Sequence, residues 1–102
     1  MYTEIEAITH WLDDKNPPSK YESAMRILKI SEELGEVTQA FVGLTGQNPR
    51  KGFTHQLDDV LNELADVVIT AMCAIQYFTQ NIDRTGDLID GKLLVILRRA
   101  KI

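Results

Sequence analysis

Apolar residues recur along this chain at intervals of three and four, the spacing that lines one face of a helix. Ile5, Ile8, Trp11 and Leu12 form the first such stripe. Thr3 with Glu6 three residues on fits a capping box, so a first helix is expected from there to about Asp14. "NPPS", Asn16 to Ser19, stops it. Ser19 and Glu22 repeat the capping-box spacing and open a longer helix. Its apolar positions are Met25, Leu28, Ile30, Leu34, Val37, Phe41 and Leu44, and it ends near Gly43 to Gly46. "TGQNPRKGFT", Thr45 to Thr54, reads as a loop with Gly, Asn and Pro as turn formers. Thr54 fits an N-cap, and Asp58 and Asp59 favour the positive end of the next helix dipole. That third helix is expected from about His55 to Gln80, with Leu57, Val60, Leu61, Leu64, Val67, Val68, Ala71 and Ile75 inward. A fourth runs from about Gly86 to Lys101, weakened at its start by Gly86 and Gly91 and supported at its end by Arg98, Arg99 and Lys101.

No strand hairpin, repeat or low-complexity tract is legible. Four amphipathic helices with short connections predict an all-α four-helix bundle over a single domain, residues 1–102. The stripes are wide for so small a chain, so a homo-oligomer, dimer or tetramer, is expected. Apolar residues make up 44% and charged residues 25%, the balance of an ordinary globular protein. The formal charge of −4 argues against a nucleic-acid binder, which needs a basic surface, but leaves room for polyphosphates contacted through metal ions. No run of apolar residues reads as a membrane span, and the N-terminus lacks a basic-then-apolar leader. Cys73 is the sole cysteine, which precludes an internal disulfide. A cytoplasmic location is expected.

Charge placement is the unusual feature. "KISEELGEV", Lys29 to Val37, puts Glu32, Glu33 and Glu36 within an arc of roughly 100° at the edge of the apolar stripe. "NELADVV" repeats the theme with Glu63 and Asp66, next to Val67 and Ala74, and Asp59 and Thr70 share that polar strip. Each helix thus offers carboxylates at i, i+3, and antiparallel packing would bring Glu33, Glu36, Glu63 and Asp66 together. Such a group repels itself unless a hard divalent cation, Mg²⁺ or Mn²⁺, sits among the oxygens. The competing account is solvated charge on two helix faces, and spacing by itself does not choose between them.

The pattern Glu32-Glu33-x-x-Glu36 followed by Glu63-x-x-Asp66 resembles the E-E-x-x-E … E-x-x-D signature of MazG-like nucleotide pyrophosphohydrolases. That family belongs to the all-α nucleoside triphosphate pyrophosphatases, and the agreement is best from Lys29 to Phe78. The resemblance implies that Glu33, Glu36, Glu63 and Asp66 hold Mg²⁺, while Glu32 supports a second ion or deprotonates the attacking water. It also implies cleavage of a (d)NTP between the α and β phosphates, giving (d)NMP and pyrophosphate, as in nucleotide-pool housecleaning. The family's last helix carries N-x-K and further basic residues that contact phosphates. Asp90-Gly91-Lys92 stands there, with Arg99 beyond, so aspartate replaces the asparagine.

Arg50 and Lys51, in the loop between the acidic helices, fit closure over a phosphate tail or simple solvation. Lys92 and Arg99 fit phosphate contacts or surface cations. Trp11 fits core packing and, alternatively, stacking on a nucleobase. Lys29 is placed for an i, i+4 ion pair with Glu33. Asn62 points to solvent on the wheel, Cys73 reads as a small buried apolar side chain, and His10 and His55 have no ligand spacing to any carboxylate. Gly35 is left to a close approach of helices. A ferritin-like di-iron bundle normally uses Glu-x-x-His, which this chain lacks, so it is the weaker rival. The rival from another class is a non-catalytic helical interaction module of the same fold.

Overall fold

The computed structural model describes all of residues 1–102 and contains four helices and no strand: α1 Tyr2–Lys15, α2 Lys20–Thr45, α3 Leu57–Thr79 and α4 Ile82–Ala100. The chain divides into two compact units, Met1–Pro17 with Met72–Ile102, and Pro18–Ala71.

In the first unit α1 packs on α4. Its core is Ile5, Met72 and Cys73, with Tyr2 and Ile89 against it. The expected Thr3–Glu6 capping box does not form. Met1 occupies the N-cap without a side-chain bond, and the Thr3 hydroxyl donates to Glu4 instead. That bond holds the Glu4 carboxyl below its ordinary pKa. α4 begins four residues earlier than its glycines suggested, because Asn81 caps it by accepting from the Arg84 amide at 3.1 Å. Gly86 lies inside the helix for a packing reason: a Cβ there would meet the Tyr2 ring at 3.2 Å. The Tyr2 hydroxyl donates to Asp90 Oδ1 at 2.7 Å, and this bond to a carboxylate pushes the phenol pKa up.

A small polar network is sealed in the same unit. Thr85 Oγ1 donates to Gln76 Oε1 at 2.7 Å and lies 2.6 Å from Thr79 Oγ1, with Gln76 and Thr85 essentially inaccessible. Thr85→Val keeps the shape but removes the donor, leaving a buried amide oxygen short of its partner. The expected cost is about 1–3 kcal/mol, read as a lower urea midpoint at unchanged slope. Thr85→Ser, which keeps the hydroxyl, should lose clearly less.

In the second unit Ser19 caps α2 as its spacing predicts, accepting from the Glu22 amide at 2.9 Å. The Glu22 carboxylate turns away from the box and pairs with Arg26 Nε at 2.7 Å in a largely buried ion pair. α2 ends at Gly46, whose φ of 66° is left-handed and whose amide donates to Val42 O. Thr54 is not the cap of α3. Its amide donates to Gly43 O at 3.0 Å, and α3 starts at Leu57, where Asp59 Oδ2 accepts from the Gln56 amide at 2.8 Å. Gly35 borders open space, so close helix approach does not explain it.

The expected stripes are only partly buried in the single chain. Val60 is buried and Val67, Ala71 and Ile75 are half-buried, but Leu57, Leu61, Leu64 and Val68 are exposed. The buried run of α3 lies later, at Met72, Cys73, Ala74, Gln76 and Tyr77. On α2, Leu28, Leu34 and Phe41 are exposed, and on α4 so is the row Leu93 to Leu97. A chain this small has too little interior to cover every apolar face. α3 is also long and apolar enough to cross a membrane by length and composition, with a mean hydropathy of 1.3, which overturns the expectation that no segment is. The helix carries Glu63 and Asp66, which a membrane interior would tolerate only at cost.

Candidate metal centre

Both acidic segments lie in the second unit. α2 runs from Glu33 to Gly43, the loop returns at Thr54 and His55 beside Gly43, and α3 leads back to Glu63 beside Glu33 and Glu36. The two helices are therefore antiparallel here, as the short loop implied. This register aligns two carboxylates spaced i, i+3 on α2 with one on α3.

Glu33, Glu36 and Glu63 form the cluster. Their ligand oxygens all lie within 4.8 Å of one another, and all three side chains are half-buried. Glu63 Oε2 is buried and has no hydrogen-bond partner. A carboxylate oxygen withdrawn from water in a group that carries other carboxylates nearby needs a positive partner. Two oxygens on one Mg²⁺ at about 2.1 Å are at most about 4.2 Å apart. The trio is within a fraction of an ångström of that limit, so small rotamer changes suffice and the donor set fits a hard cation. Asp66 does not join: it is exposed and outside the cluster, although it lies one turn from Glu63.

Glu32 is also outside the trio and exposed. Lys29 Nζ contacts Glu32 Oε1 at 3.1 Å and Glu33 Oε1 at 3.5 Å. The expected Lys29–Glu33 pair is present, but the shorter contact goes to Glu32. The hydrogen bond to Glu32 is the main reason the ammonium pKa is raised, with the charge of Glu33 adding to it.

The proposed phosphate contacts fall in different places. Arg50 and Lys51 are exposed in the loop of the second unit, where their amides bond Asn48 Oδ1 and O at 3.1 and 3.2 Å. Lys51 lines a cleft of about 320 Å³, and Arg50 does not. Lys92 and Arg99 are exposed on α4 and Trp11 is exposed on α1, all in the first unit. Trp11 is thus not core; Lys15 Nζ sits 5.9 Å over its ring. Asp90 is engaged by Tyr2, which gives the substituted position a structural partner. Asn62 is exposed and Cys73 buried, as expected.

His55 was passed over in the sequence and is not incidental to the loop. Its Nδ1 is 2.9 Å from Thr54 Oγ1, its ring abuts Gly43, and it lines the cleft with Lys51. No local spacing announces this, because the contact depends on a glycine twelve residues earlier on the facing helix. Comparisons with family models, with curated proteins and with solved structures find no match.

Proposed function

We propose that this chain is a Mg²⁺-dependent nucleoside triphosphate pyrophosphohydrolase of the MazG-like, all-α type. It would act as a homo-oligomer in the cytoplasm, in nucleotide-pool housecleaning. The observation that carries the reading is the half-buried Glu33–Glu36–Glu63 cluster with its unpartnered Glu63 Oε2.

Glu33, Glu36 and Glu63 would hold the cation, with Asp66 available from the rim. When bound, Mg²⁺ (or Mn²⁺) neutralises carboxylate and phosphate charge and polarises the α–β anhydride. Glu32 is placed differently from the trio: it is exposed, with Oε1 on Lys29, and its other oxygen would accept a proton from a water attacking phosphorus. Breaking the α–β anhydride then gives a nucleoside monophosphate and pyrophosphate without a covalent intermediate. Lys51, in the loop of the hairpin, would offset phosphate charge.

The deciding experiment is a panel of NTPs and dNTPs assayed for pyrophosphate release with Mg²⁺, with Mn²⁺ and with EDTA. Metal-dependent release from at least one nucleotide is expected, and pyrophosphate rather than orthophosphate should appear. No release from any, together with no Mg²⁺ effect on the melting temperature, would leave the interaction-module reading, which the exposed apolar row on α4 favours.

A further inference from the structure

The cleft between the end of α2 and the loop has a chemistry of its own. Six of its lining residues define it: Gln39, Gly43, Asn48, Lys51, Thr54 and His55. No carboxylate lines it, in a chain with fifteen acidic residues and a net charge of −4. Its volume, about 320 Å³, is at the small end of ligand sites.

Several of its polar groups can donate. Lys51 brings an ammonium with three N–H groups. Asn48 already spends Oδ1 on the Arg50 amide at 3.1 Å, which leaves its Nδ2 hydrogens to offer. Thr54 Oγ1 and His55 Nδ1 lie 2.9 Å apart, and whichever of them donates, the pair keeps one hydrogen to offer, on the Thr54 hydroxyl or on His55 Nε2. The backbone fixes this arrangement: the Thr54 and His55 amides both donate to Gly43 O, and the Lys51 and Gly52 amides both donate to Asn48 O. Gly43 leaves room for the imidazole where any side chain would overlap it.

The cleft also begins close to the carboxylate cluster. Gln39 follows Glu36 by three residues, about 4.5 Å along α2 and on nearly the same side of the helix.

We infer that this cleft is an oxyanion site that takes the pyrophosphate end of the substrate, with Lys51, Asn48 and the Thr54–His55 pair as its donors. For the identity of the anion this rests on the pyrophosphohydrolase reading; for the geometry it does not. The division of labour follows from charge. Glu33, Glu36 and Glu63 cannot receive an anion without a cation, whereas the cleft can.

The test is therefore made in EDTA. The full chain is titrated with pyrophosphate and, separately, with a nucleoside monophosphate, by calorimetry and by the nitrogen chemical shifts of the His55 ring. Saturable pyrophosphate binding that moves the His55 signals is expected, with weaker binding of the monophosphate. Lys51→Ala and His55→Gln should each weaken it about tenfold or more, the scale of one charge-assisted or buried hydrogen bond. Glu36→Ala, which removes a neighbouring negative charge, should not weaken it. Absence of saturable binding, or binding indifferent to both cleft substitutions in variants with native helix content, overturns the proposal. Metal-free pyrophosphate binding without turnover on any nucleotide would retain the cleft and sink the enzyme reading. Turnover with no cleft binding would do the reverse.

Discussion

Glu63→Gln should raise the melting temperature of the metal-free protein and lower Mg²⁺-dependent pyrophosphate release by at least about a hundredfold. The two effects have one origin. Glu63 Oε2 is buried without a partner, and the Glu63 carboxylate offers an oxygen within 4.8 Å of those of Glu33 and Glu36. At an effective dielectric of about 20, such a pair of charges repels by about 3 kcal/mol before solvent screening, and by about 1 kcal/mol after it, since the groups are half-exposed. Glutamine removes the charge, and its amide hydrogens can bond Glu33 or Glu36. A gain of about 1 kcal/mol is about 4–8 °C in a domain this size. Adding Mg²⁺ should then reverse the order of stability. Wild type gains about 2.7 kcal/mol when Mg²⁺ is a hundred times its dissociation constant, and the variant gains much less. Loss of one carboxylate ligand should weaken the metal more than loss of a supporting group, which already costs 10–100-fold. Calorimetric scans with Mg²⁺ or EDTA check the first half and pyrophosphate release the second. If the variant melts lower without metal and gains as much as wild type with it, the cluster is not a cation site.

Gly43→Ala should be among the most damaging single-methyl additions in the chain. The new Cβ would overlap the His55 ring and come within 2.5 Å of Thr54 Oγ1. Neither can simply swing away, because the amides of both residues are tied to Gly43 O. Overpacking of this kind costs about 1–3 kcal/mol. The helix interior would otherwise reward alanine by about 1 kcal/mol, so a net loss is a sharp sign that tertiary contact outweighs propensity. Adding His55→Ala to Gly43→Ala should recover part of the loss, as a double-mutant cycle in urea would show. Additive losses would mean that the contact is not what Gly43 protects.

Legibility followed the range of the interactions involved. Ser19 with Glu22 marked the start of α2 because a cap is settled within four residues. Glu33, Glu36 and Glu63 were legible because helical spacing fixes which side chains share a face. An antiparallel hairpin then leaves few choices of partner. Asp66 had the right spacing, but at the rim of the hairpin it stays in water, and period alone does not separate rim from cluster. The start of α4 is not legible from helix propensity, because Gly86 sits inside the helix where the Tyr2 ring leaves little room for a Cβ. Inward positions such as Leu61 and Leu64 were set by the breadth of the stripe, and a single small chain does not cover them all. His55 was invisible because the groups that define it, Gly43 and Thr54, meet only after the loop closes.

The single cysteine is buried in the Ile5–Met72–Cys73 core. A thiol reagent in solution reaches Cys73 only when the surrounding unit opens. The rate at which the unmodified chain takes up such a reagent is therefore a clock for that opening. Because the chain contains no second thiol, one exponential reports one event at one address.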